Sequence, residues 1–269
     1  MHTSRTRVLV TGASGYIGSR LTPHLRAHGY SVIAFGRSHP GDADIVRVGS
    51  FTSPADLALL DDLPIDVVVH LAGVTGEAAE ADAIQVNVEG TRLLLRTMVD
   101  RGVRRFVVAS SIAAAGCLTE GFLPQVLPIP ASHPCLSANA YGLSKYIVEE
   151  MARYFARTDK SLELDLYRIG VVVSDPDYQA DLSSVRLPFC QLGTVPIGTA
   201  VDRITAAIGA PRGPGARVEN LVAPEIPSPL PTIDTLTAVL GRRASSLDLS
   251  AYRRAGNERS GLWALAEGT

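Results

Sequence analysis

Short apolar runs alternate with longer segments of helical periodicity over the first two-thirds of the chain. A short run that is apolar throughout is typical of a parallel strand buried on both faces. The pattern predicts strands at residues 6–11, 31–35, 45–48, 65–71, 104–109 and 163–169, and helices at 15–28, 53–61, 77–101 and 140–157. Because right-handed βαβ units build such sheets, we predict an α/β protein with a doubly wound parallel sheet.

The pattern changes after residue 175, where prolines become frequent. Residues 211–231 surround one strand-like segment at 216–223, and a short helix at 232–240 ends at Gly241. We predict a dinucleotide-binding domain at 1–175, to which residues 199–210 return. The remaining segments, 176–198 and 211–269, form a small, reduced C-terminal substrate-binding region or lid.

Three glycines, Gly12, Gly15 and Gly18, follow the first predicted strand. Gly12 allows a sharp turn, Gly15 lets backbone amides approach a pyrophosphate at the helix N-terminus, and Gly18 lets that helix pack closely on the strand. The G-x-x-G-x-x-G spacing differs from the better-known dinucleotide fingerprint, and a Gly-rich hairpin is the alternative. The position between a strand and a helix favours a dinucleotide-binding turn in a Rossmann-type fold.

The end of the second predicted strand bears on the choice between NAD and NADP. An acidic residue there would accept hydrogen bonds from the adenosine ribose of NAD. No Asp or Glu occurs from residue 31 to 41, whereas Arg37 and Ser38 can bind a 2′-phosphate. We therefore predict NADP as the cofactor, with NAD as the open alternative, in which Arg37 stacks on adenine or faces solvent.

Small and polar residues follow the next two predicted strands. The turn at residues 71–73 leaves room for a cofactor, and Ser110 and Ser111 end the fifth strand at the same edge of the sheet. Asn87 is unfavourable in a helix, so it either faces solvent or hydrogen-bonds a specific group at the edge of the core. We interpret His70 as a packing residue, because no carboxylate lies near it in sequence.

Tyr141 and Lys145 are four residues apart at the start of the helix predicted at 140–157. Residues at this spacing share one helix face. Free tyrosine has a pKa near ~10, so it exchanges a proton at neutral pH only when a nearby cation stabilises its phenolate. The pair is therefore a candidate for acid–base chemistry, although the same spacing also arises by accident.

Composition and charge bear on which partners the protein binds and on the cellular compartment in which it works. The formal charge of -2 and the pI near 6.3 provide no field that attracts nucleic acid or anionic lipid. The three cysteines, at 117, 135 and 190, form neither a disulfide framework nor a metal-binding motif. No run of about 20 apolar residues is present to span a membrane. We predict a cytoplasmic protein with a small-molecule substrate and without a metal, nucleic-acid partner or membrane contact.

These motifs together resemble the short-chain dehydrogenase/reductase superfamily. The similarity is to its extended branch, which includes NAD-dependent nucleotide-sugar epimerases, dehydratases and 4-ketoreductases. It covers residues 6–176 and is carried, in the order of that family, by Thr11-Gly-Ala-Ser-Gly-Tyr-Ile-Gly18, His70-Leu-Ala-Gly73, Asn87, Ser110-Ser111 and Tyr141-Gly-Leu-Ser-Lys145.

The resemblance implies a role for each motif residue. Tyr141 is the general acid/base, Lys145 lowers its pKa and holds the nicotinamide ribose, and Ser111 orients the substrate oxygen. The implied cofactor-binding residues are Gly12, Ser14, Gly15, Tyr16, Ile17, Gly18, Arg37, Ser38, Leu71, Ala72, Gly73, Asn87 and Lys145. The resemblance also implies a homodimer, formed through the helices at 77–101 and 140–157.

The chain departs from the family pattern at three places. Ala115 replaces an aromatic residue before Gly116, and Val171 stands where nucleotide-sugar enzymes commonly have Asn. Ser50 follows Gly49 where the family usually has Asp, and the chain is shorter than typical extended members. These departures affect the substrate pocket and adenine recognition.

We predict an NAD(P)-dependent oxidoreductase, a ketoreductase or epimerase acting on a sugar, as in deoxysugar biosynthesis. Whether that sugar is nucleotide-activated stays open. One alternative is a reductase of a smaller, non-sugar carbonyl compound, and another is a non-catalytic NADP-binding regulatory protein. The intact Ser-Tyr-Lys set argues against the regulatory protein, because a sensor needs the glycine turn but no proton relay.

Overall fold

A computed structural model describes residues 5–38 and 42–266, and these residues contain nine β-strands. The strands are β1 (Arg7–Thr11), β2 (Ser31–Gly36), β3 (Ile45–Val48), β4 (Val67–His70), β5 (Arg105–Ser111), β6 (Glu163–Ile169), β7 (Val171–Val173), β8 (Thr194–Pro196) and β9 (Gly215–Leu221). All six strands predicted from the sequence are present, and those at 45–48 and 163–169 have the predicted ends.

The central sheet has seven strands in the order β3-β2-β1-β4-β5-β6-β9. β1 pairs in parallel with β2 on one side and with β4 on the other, so that Val8 lies opposite both Val32 and Val67. The order reverses direction between β1 and β4, as in a doubly wound sheet. The predicted fold class is confirmed. β7 and β8 form a separate two-stranded parallel sheet.

Eight α-helices lie in the described residues. They are α1 (Gly18–Ala27), α2 (Pro54–Leu57), α3 (Glu80–Asp82), α4 (Thr91–Asp100), α5 (Ala140–Thr158), α6 (Pro188–Gln191), α7 (Ile197–Gly209) and α8 (Thr232–Leu240). A π-helix, Ala83–Gly90, joins α3 to α4 within the helix predicted at 77–101. α8 has the predicted bounds, and Gly241 ends it with a φ of +56°.

The chain divides into two compact units, of which the first comprises residues 1–109, 147–166 and 201–217. Its apolar runs in β1, β2 and β4 are buried. α1 and α4 cover strands with Leu21, Leu25, Leu94, Leu95 and Met98, all fully buried. Each such side chain stabilises the fold by about 1.5–3 kcal/mol through the apolar surface that it removes from water.

The second unit comprises residues 110–146, 167–200 and 218–269 and has its own apolar cluster. Trp263 is 2% exposed in that cluster, and its indole Nε1–H donates to the carbonyl of Phe189 at 2.9 Å. The segment at 117–139 also belongs to this unit, where the backbone N–H of Leu136 donates to the carbonyl of Ala115 at 3.1 Å.

The strand-like segment predicted at 216–223 is β9, an edge strand of the central sheet. The prolines around this segment predict a place in the C-terminal lid, and its pairing in the central sheet corrects that prediction. The first residues of β9, up to Arg217, belong to the first unit. The other domain boundaries given above stay a prediction.

Residues 5–38 and 42–266 contain neither a membrane-spanning helix nor a metal-binding cluster. No helix there is both long and apolar enough to cross a bilayer. No group of three or more His, Cys, Asp or Glu side chains there is arranged to hold a metal ion.

Candidate active site

The glycine turn after β1 has no space for a Cβ atom at Gly12 or Gly18. Gly12 has a φ of +72°, and a Cβ on it would lie 2.7 Å from the backbone nitrogen of Ala72. A Cβ on Gly18 would lie 2.2 Å from the carbonyl oxygen of Gly12. Real Cβ atoms do not approach other atoms so closely, so the contact between α1 and the turn requires glycine at both positions. This is the close packing predicted for Gly18.

A cavity of about 290 Å³ opens beside this turn in the first unit. It lies where the strand order reverses between β1 and β4, which is where open α/β sheets bind ligands. The described residues that line it include no Asp or Glu, so an anionic dinucleotide meets no like charge. The predicted cofactor residues that line it are Gly12, Ser14, Gly15, Arg37, Ser38, Leu71, Ala72 and Gly73.

Five other predicted cofactor residues are absent from the lining of this cavity: Tyr16, Ile17, Gly18, Asn87 and Lys145. The ring of Tyr16 is 46% exposed and lies beneath the Arg20 guanidinium, 4.3 Å from it. Asn87 is buried in the π-helix, where its side chain accepts from the N–H of Val74 at 2.9 Å and donates to the carbonyl of Val74 at 3.0 Å. Asn87 therefore holds the cavity wall in place, which is the second of the two alternatives given above.

The far end of the cavity contains residues that the sequence did not single out. Phe51 and Thr52 line it, next to Ser50. The backbone N–H of Ser50 donates to the carboxylate of Asp56 at 2.8 Å, and the Ser50 and Thr52 hydroxyls are 2.7 Å apart. Asp56 therefore orders the turn at the site where the family usually has an Asp side chain. Ser53, which caps α2, was the local signal for the position of Asp56.

His70 is a packing residue, as interpreted from the sequence. Its Nδ1 lies 2.6 Å from the Thr11 hydroxyl, and its Nε2 lies 2.9 Å from the Thr91 hydroxyl. The imidazole is 3% exposed, and Phe51 contacts it edge-on at 4.9 Å between ring centroids. Both ring nitrogens are therefore used within the core of the first unit.

Ser111, Tyr141 and Lys145 come together in the second unit. Ser111 ends β5 and caps the 3₁₀-helix Ile112–Ala115, accepting from the N–H of Ala113 at 3.1 Å. Its hydroxyl also forms a hydrogen bond with the phenol of Tyr141. Lys145 is 7% exposed, and its Nζ lies 5.8 Å from the centroid of the Tyr141 ring. This is the arrangement that acid–base chemistry on a substrate oxygen requires.

Gly142 allows the first turn of α5 to approach the segment that carries Ser111. A Cβ on Gly142 would lie 2.4 Å from the carbonyl oxygen of Ala113 and 2.4 Å from the Ser137 hydroxyl. Asn139 caps the same turn, because its side chain accepts from the N–H of Gly142 at 3.2 Å. The Ser111–Tyr141 contact therefore depends on a glycine between Tyr141 and Lys145.

We expect Gly142→Ala to lower the free energy of unfolding by about 1–3 kcal/mol, since backbone must shift to admit the methyl group. A displacement of about 1 Å between Tyr141 and Ser111 lowers kcat on the order of 100-fold. Thermal unfolding and steady-state kinetics measure the two effects. Adding Ser137→Ala removes one of the two clashes and leaves the backbone clash, so full rescue in the double variant would contradict this account.

Burial raises the pKa of Tyr141 above its usual value of 10.0, and the hydrogen bond with Ser111 lowers it by less. Charge on the thiols of Cys190 and Cys117 adds to the rise. The resemblance implies that Lys145 lowers the pKa of Tyr141, and this role of Lys145 stays a prediction.

A second cavity, of about 380 Å³, lies wholly in the second unit along β7, β8 and residues 223–227. Arg259 is the single basic residue among the described residues that line it. Its Nε lies 3.3 Å from the Glu225 carboxylate, and its two Nη atoms donate to the carbonyls of Ser228 and Pro229 at 2.6 and 3.3 Å. Asp177 also lines this cavity, so its net charge does not favour an anion.

The chain is similar to a known protein family, to curated relatives and to solved structures. The model of the NAD dependent epimerase/dehydratase family matches residues 8–182. UDP-glucose 4-epimerase of Mus musculus is 32% identical over 187 residues, which are 60% of this chain and 52% of that protein. The chain thus spans about half the length of the curated relatives it matches.

Two solved structures are similar over a larger share of their length. A mutated uronate dehydrogenase is 25% identical with a TM-score of 0.68, over 84% of this chain and 77% of that one. MoeE5, solved in complex with UDP-glucuronic acid and NAD, is 26% identical with a TM-score of 0.65, over 81% and 77%.

Proposed function

We propose a function from the premise that this chain belongs to the NAD dependent epimerase/dehydratase family. The protein is an NAD(P)-dependent oxidoreductase that acts on a carbonyl or hydroxyl carbon of a sugar, as a ketoreductase or epimerase. The observation that carries the proposal is the contact of Ser111 with Tyr141, with Lys145 over the phenol ring. The cavity beside the glycine turn supports it with a cradle for a dinucleotide.

Tyr141 and Ser111 divide the work on the substrate oxygen. When bound, the nicotinamide supplies or accepts the hydride. Ser111 donates a hydrogen bond to the oxygen that becomes an alkoxide, and Tyr141 supplies the proton. Because burial raises the pKa of Tyr141, the phenol is protonated at neutral pH, which favours the reduction of a carbonyl.

The cofactor is held by the glycine turn and by the residues at the end of β2, and we propose NADP rather than NAD. The turn that contains Gly12 and Gly15 would hold the pyrophosphate at the N-terminus of α1. Arg37 and Ser38 line the cavity where β2 ends, and the Ser38 hydroxyl donates to that of Ser14 at 3.2 Å. A guanidinium and a hydroxyl at this position suit a 2′-phosphate.

We expect Arg37→Ala to raise the Kd for NADPH about 10- to 100-fold, because one charge-assisted contact with the 2′-phosphate is lost. The Kd for NADH changes much less, since NADH has no phosphate at this position. Titration followed by the fluorescence of the reduced nicotinamide measures both constants. The matched control is Arg92→Ala, which removes an exposed arginine paired with Glu89 away from the cavity lining. Equal losses for NADPH and NADH would point instead to stacking of Arg37 on adenine.

A second candidate function is the reduction of a smaller, non-sugar carbonyl compound. It is favoured by the second cavity, where the guanidinium of Arg259 donates hydrogen bonds to Glu225 and to two backbone carbonyls. This guanidinium is therefore not available to bind a diphosphate in that cavity. Exposed arginines lie elsewhere in the second unit, at 242–243 and 253–254. They could bind a diphosphate, so a nucleotide sugar stays a candidate substrate.

The two candidates are separated by one panel of substrates. Purified protein is mixed with NADPH or NADH and with paired 4-keto sugars, each free and nucleotide-linked, and with small ketones. Oxidation of NADPH with a 4-keto sugar, free or nucleotide-linked, supports the first candidate, and oxidation with small ketones alone supports the second. Tight NADPH binding without turnover of any carbonyl compound would instead favour the regulatory protein.

We propose in addition that the protein works in the cytoplasm as a homodimer formed through α4 and α5. The family resemblance supports this, as does the exposure of Tyr154 on α5, which is 51% exposed. Sedimentation equilibrium tests the assembly, with Tyr154→Arg as the variant that breaks it. A monomer at every concentration would reject the dimer without affecting the proposed reaction.

A further inference from the structure

Two cysteines that are distant in sequence lie side by side in the second unit. Cys117 follows Gly116 after the 3₁₀-helix Ile112–Ala115, and Cys190 lies in α6. Their thiols form a hydrogen bond, and both residues belong to the apolar cluster around Trp263. Cys117 is 1% exposed and Cys190 is partly exposed, and both are reduced in this structure. Two sulfur atoms in contact are already near the geometry from which a disulfide forms.

The two thiols differ in reactivity because their surroundings differ. The hydrogen bond from Cys117 stabilises the Cys190 thiolate and lowers the pKa of Cys190. Burial raises the pKa of Cys117 well above its usual value, so this residue stays a thiol. A thiolate that is partly exposed reacts with oxidants, and a neighbouring thiol then resolves the product. The pair therefore has an attacking and a resolving member.

Cys190 is reached by its own partial exposure, and a small opening of about 10 Å³ lined by Cys117, Arg186 and Arg243 lies on the Cys117 side of the pair. This is room for about one water-sized molecule. Both guanidiniums that line the opening donate to backbone carbonyls, Arg186 to that of Ser183 and Arg243 to that of Gly121. Cys135 is not part of this cluster and provides an internal comparison.

We propose that Cys117 and Cys190 are a modification site that forms a reversible disulfide on reaction with a hydroperoxide. The Cys190 sulfur attacks one peroxide oxygen, the O–O bond breaks, and Cys190 becomes a sulfenic acid. The Cys117 sulfur then attacks the Cys190 sulfur, an S–S bond forms, and the S–O bond breaks. With hydrogen peroxide, two thiols are oxidised, one peroxide is reduced and two water molecules leave. A dithiol reductant reverses the bond and is itself oxidised to a disulfide.

The disulfide also acts on the candidate active site. Cys117 lies on the segment that begins with Ser111, and the backbone N–H of Gly116 donates to the carbonyl of Ala113 at 2.9 Å. Drawing the two sulfur atoms from hydrogen-bond contact to a bond of about 2.05 Å pulls this segment towards α6. The Ser111–Tyr141 geometry shifts with it, and we expect kcat to fall about 10- to 100-fold on oxidation. This second effect rests on the proposed function, whereas the disulfide does not.

The disulfide is tested on the full chain with hydrogen peroxide, intact mass and thiol counting. The wild type and Cys135→Ser are expected to lose the mass of two hydrogen atoms, and dithiothreitol restores them. Free thiols in the wild type fall from three to one, and peptide mapping joins Cys117 to Cys190. Cys190→Ser forms no such bond, and Cys117→Ser stops at a sulfenic acid that dimedone traps. Three free thiols after peroxide treatment, or a bond that includes Cys135, would overturn the site.

A serine in the apolar cluster can unfold the protein, so a measurement on the wild type accompanies the variants. Iodoacetamide is expected to label Cys190 faster than Cys135 at neutral pH, and equal rates would contradict the assigned attacking role. Turnover of the oxidised and re-reduced wild type tests the link to Tyr141, and unchanged kcat with the disulfide formed would reject that link. If no carbonyl compound is turned over, the proposed function fails and the mass measurement still decides the disulfide.

Discussion

Tyr141→Phe is expected to lower kcat for carbonyl reduction by about 10²–10⁴-fold, the usual contribution of a positioned general acid. The substitution removes one hydroxyl and its hydrogen bond with Ser111 and keeps the ring beneath Lys145. Binding of NADPH and the unfolding temperature should therefore change little. Single-turnover rates with saturating NADPH and the best carbonyl of the panel measure the effect.

The matched control for this variant is Tyr154→Phe on the same helix. Tyr154 is 51% exposed, and its ring contacts Phe155 edge-on at 5.8 Å between centroids, so loss of its hydroxyl leaves the candidate site untouched. A kcat within about twofold of the wild type is expected for it. Similar losses in both variants, or full activity of Tyr141→Phe, would remove Tyr141 from the acid–base role.

The raised pKa of Tyr141 adds a pH signature to this expectation. The phenol must be protonated for reduction and ionised for oxidation. From about pH 6 to about pH 9, ionisation of Tyr141 leaves the reduction rate unchanged, and the oxidation rate rises with pH. A reduction rate that falls within this range would mean that bound cofactor brings the pKa of Tyr141 below its usual value of 10.0.

Gly18→Ala is expected to lower the free energy of unfolding by about 1–3 kcal/mol and to abolish measurable NADPH binding. Its Cβ would lie 2.2 Å from the Gly12 carbonyl oxygen and 2.7 Å from the Ala13 Cα, so α1 must move away from the turn. The backbone amides of that turn then no longer converge on the pyrophosphate. Chemical denaturation and the NADPH titration measure the two effects.

Gly198→Ala is the control, because Gly198 also lies in the first turn of a helix, α7, and a Cβ there meets nothing within 4 Å. Helix propensity alone favours alanine over glycine by up to about 1 kcal/mol. The control is expected to leave the free energy of unfolding unchanged or to raise it, whereas Gly18→Ala lowers it. If the two variants were equally stable, α1 could move away from the glycine turn without a loss of stability, which would contradict this account.

The strands and the glycine turn could be predicted from the sequence because their signals are local. Apolar runs identify β1 and β2 directly, and glycine spacing identifies the turn. β7 and β8 have three residues each and pair over a gap in sequence, so no local pattern marks them. β9 was assigned to a lid because the prolines around it outweighed its apolar residues. Pairing partners decide such strands, and a single sequence does not contain them.

The candidate site divides in the same way. The identity of Ser111, Tyr141 and Lys145 follows from short motifs, and the contacts that set their chemistry do not. Burial, which raises the pKa of Tyr141, depends on residues from the whole second unit. The partner of Asn87, Val74, lies 13 positions before it, and only the π-helix brings the two together. The contact between Cys117 and Cys190 likewise appears only once the chain is folded.

The position of Trp263 allows partial unfolding of the chain to be followed by its tryptophan fluorescence. It is the single tryptophan of the sequence, and it is buried in the second unit. Its emission therefore follows loss of structure in that unit alone, whereas the far-ultraviolet circular dichroism signal follows helices in both. If the two signals change together on heating, the units melt as one cooperative body. If the emission shifts first, the candidate catalytic residues are lost while the dinucleotide cradle is still folded.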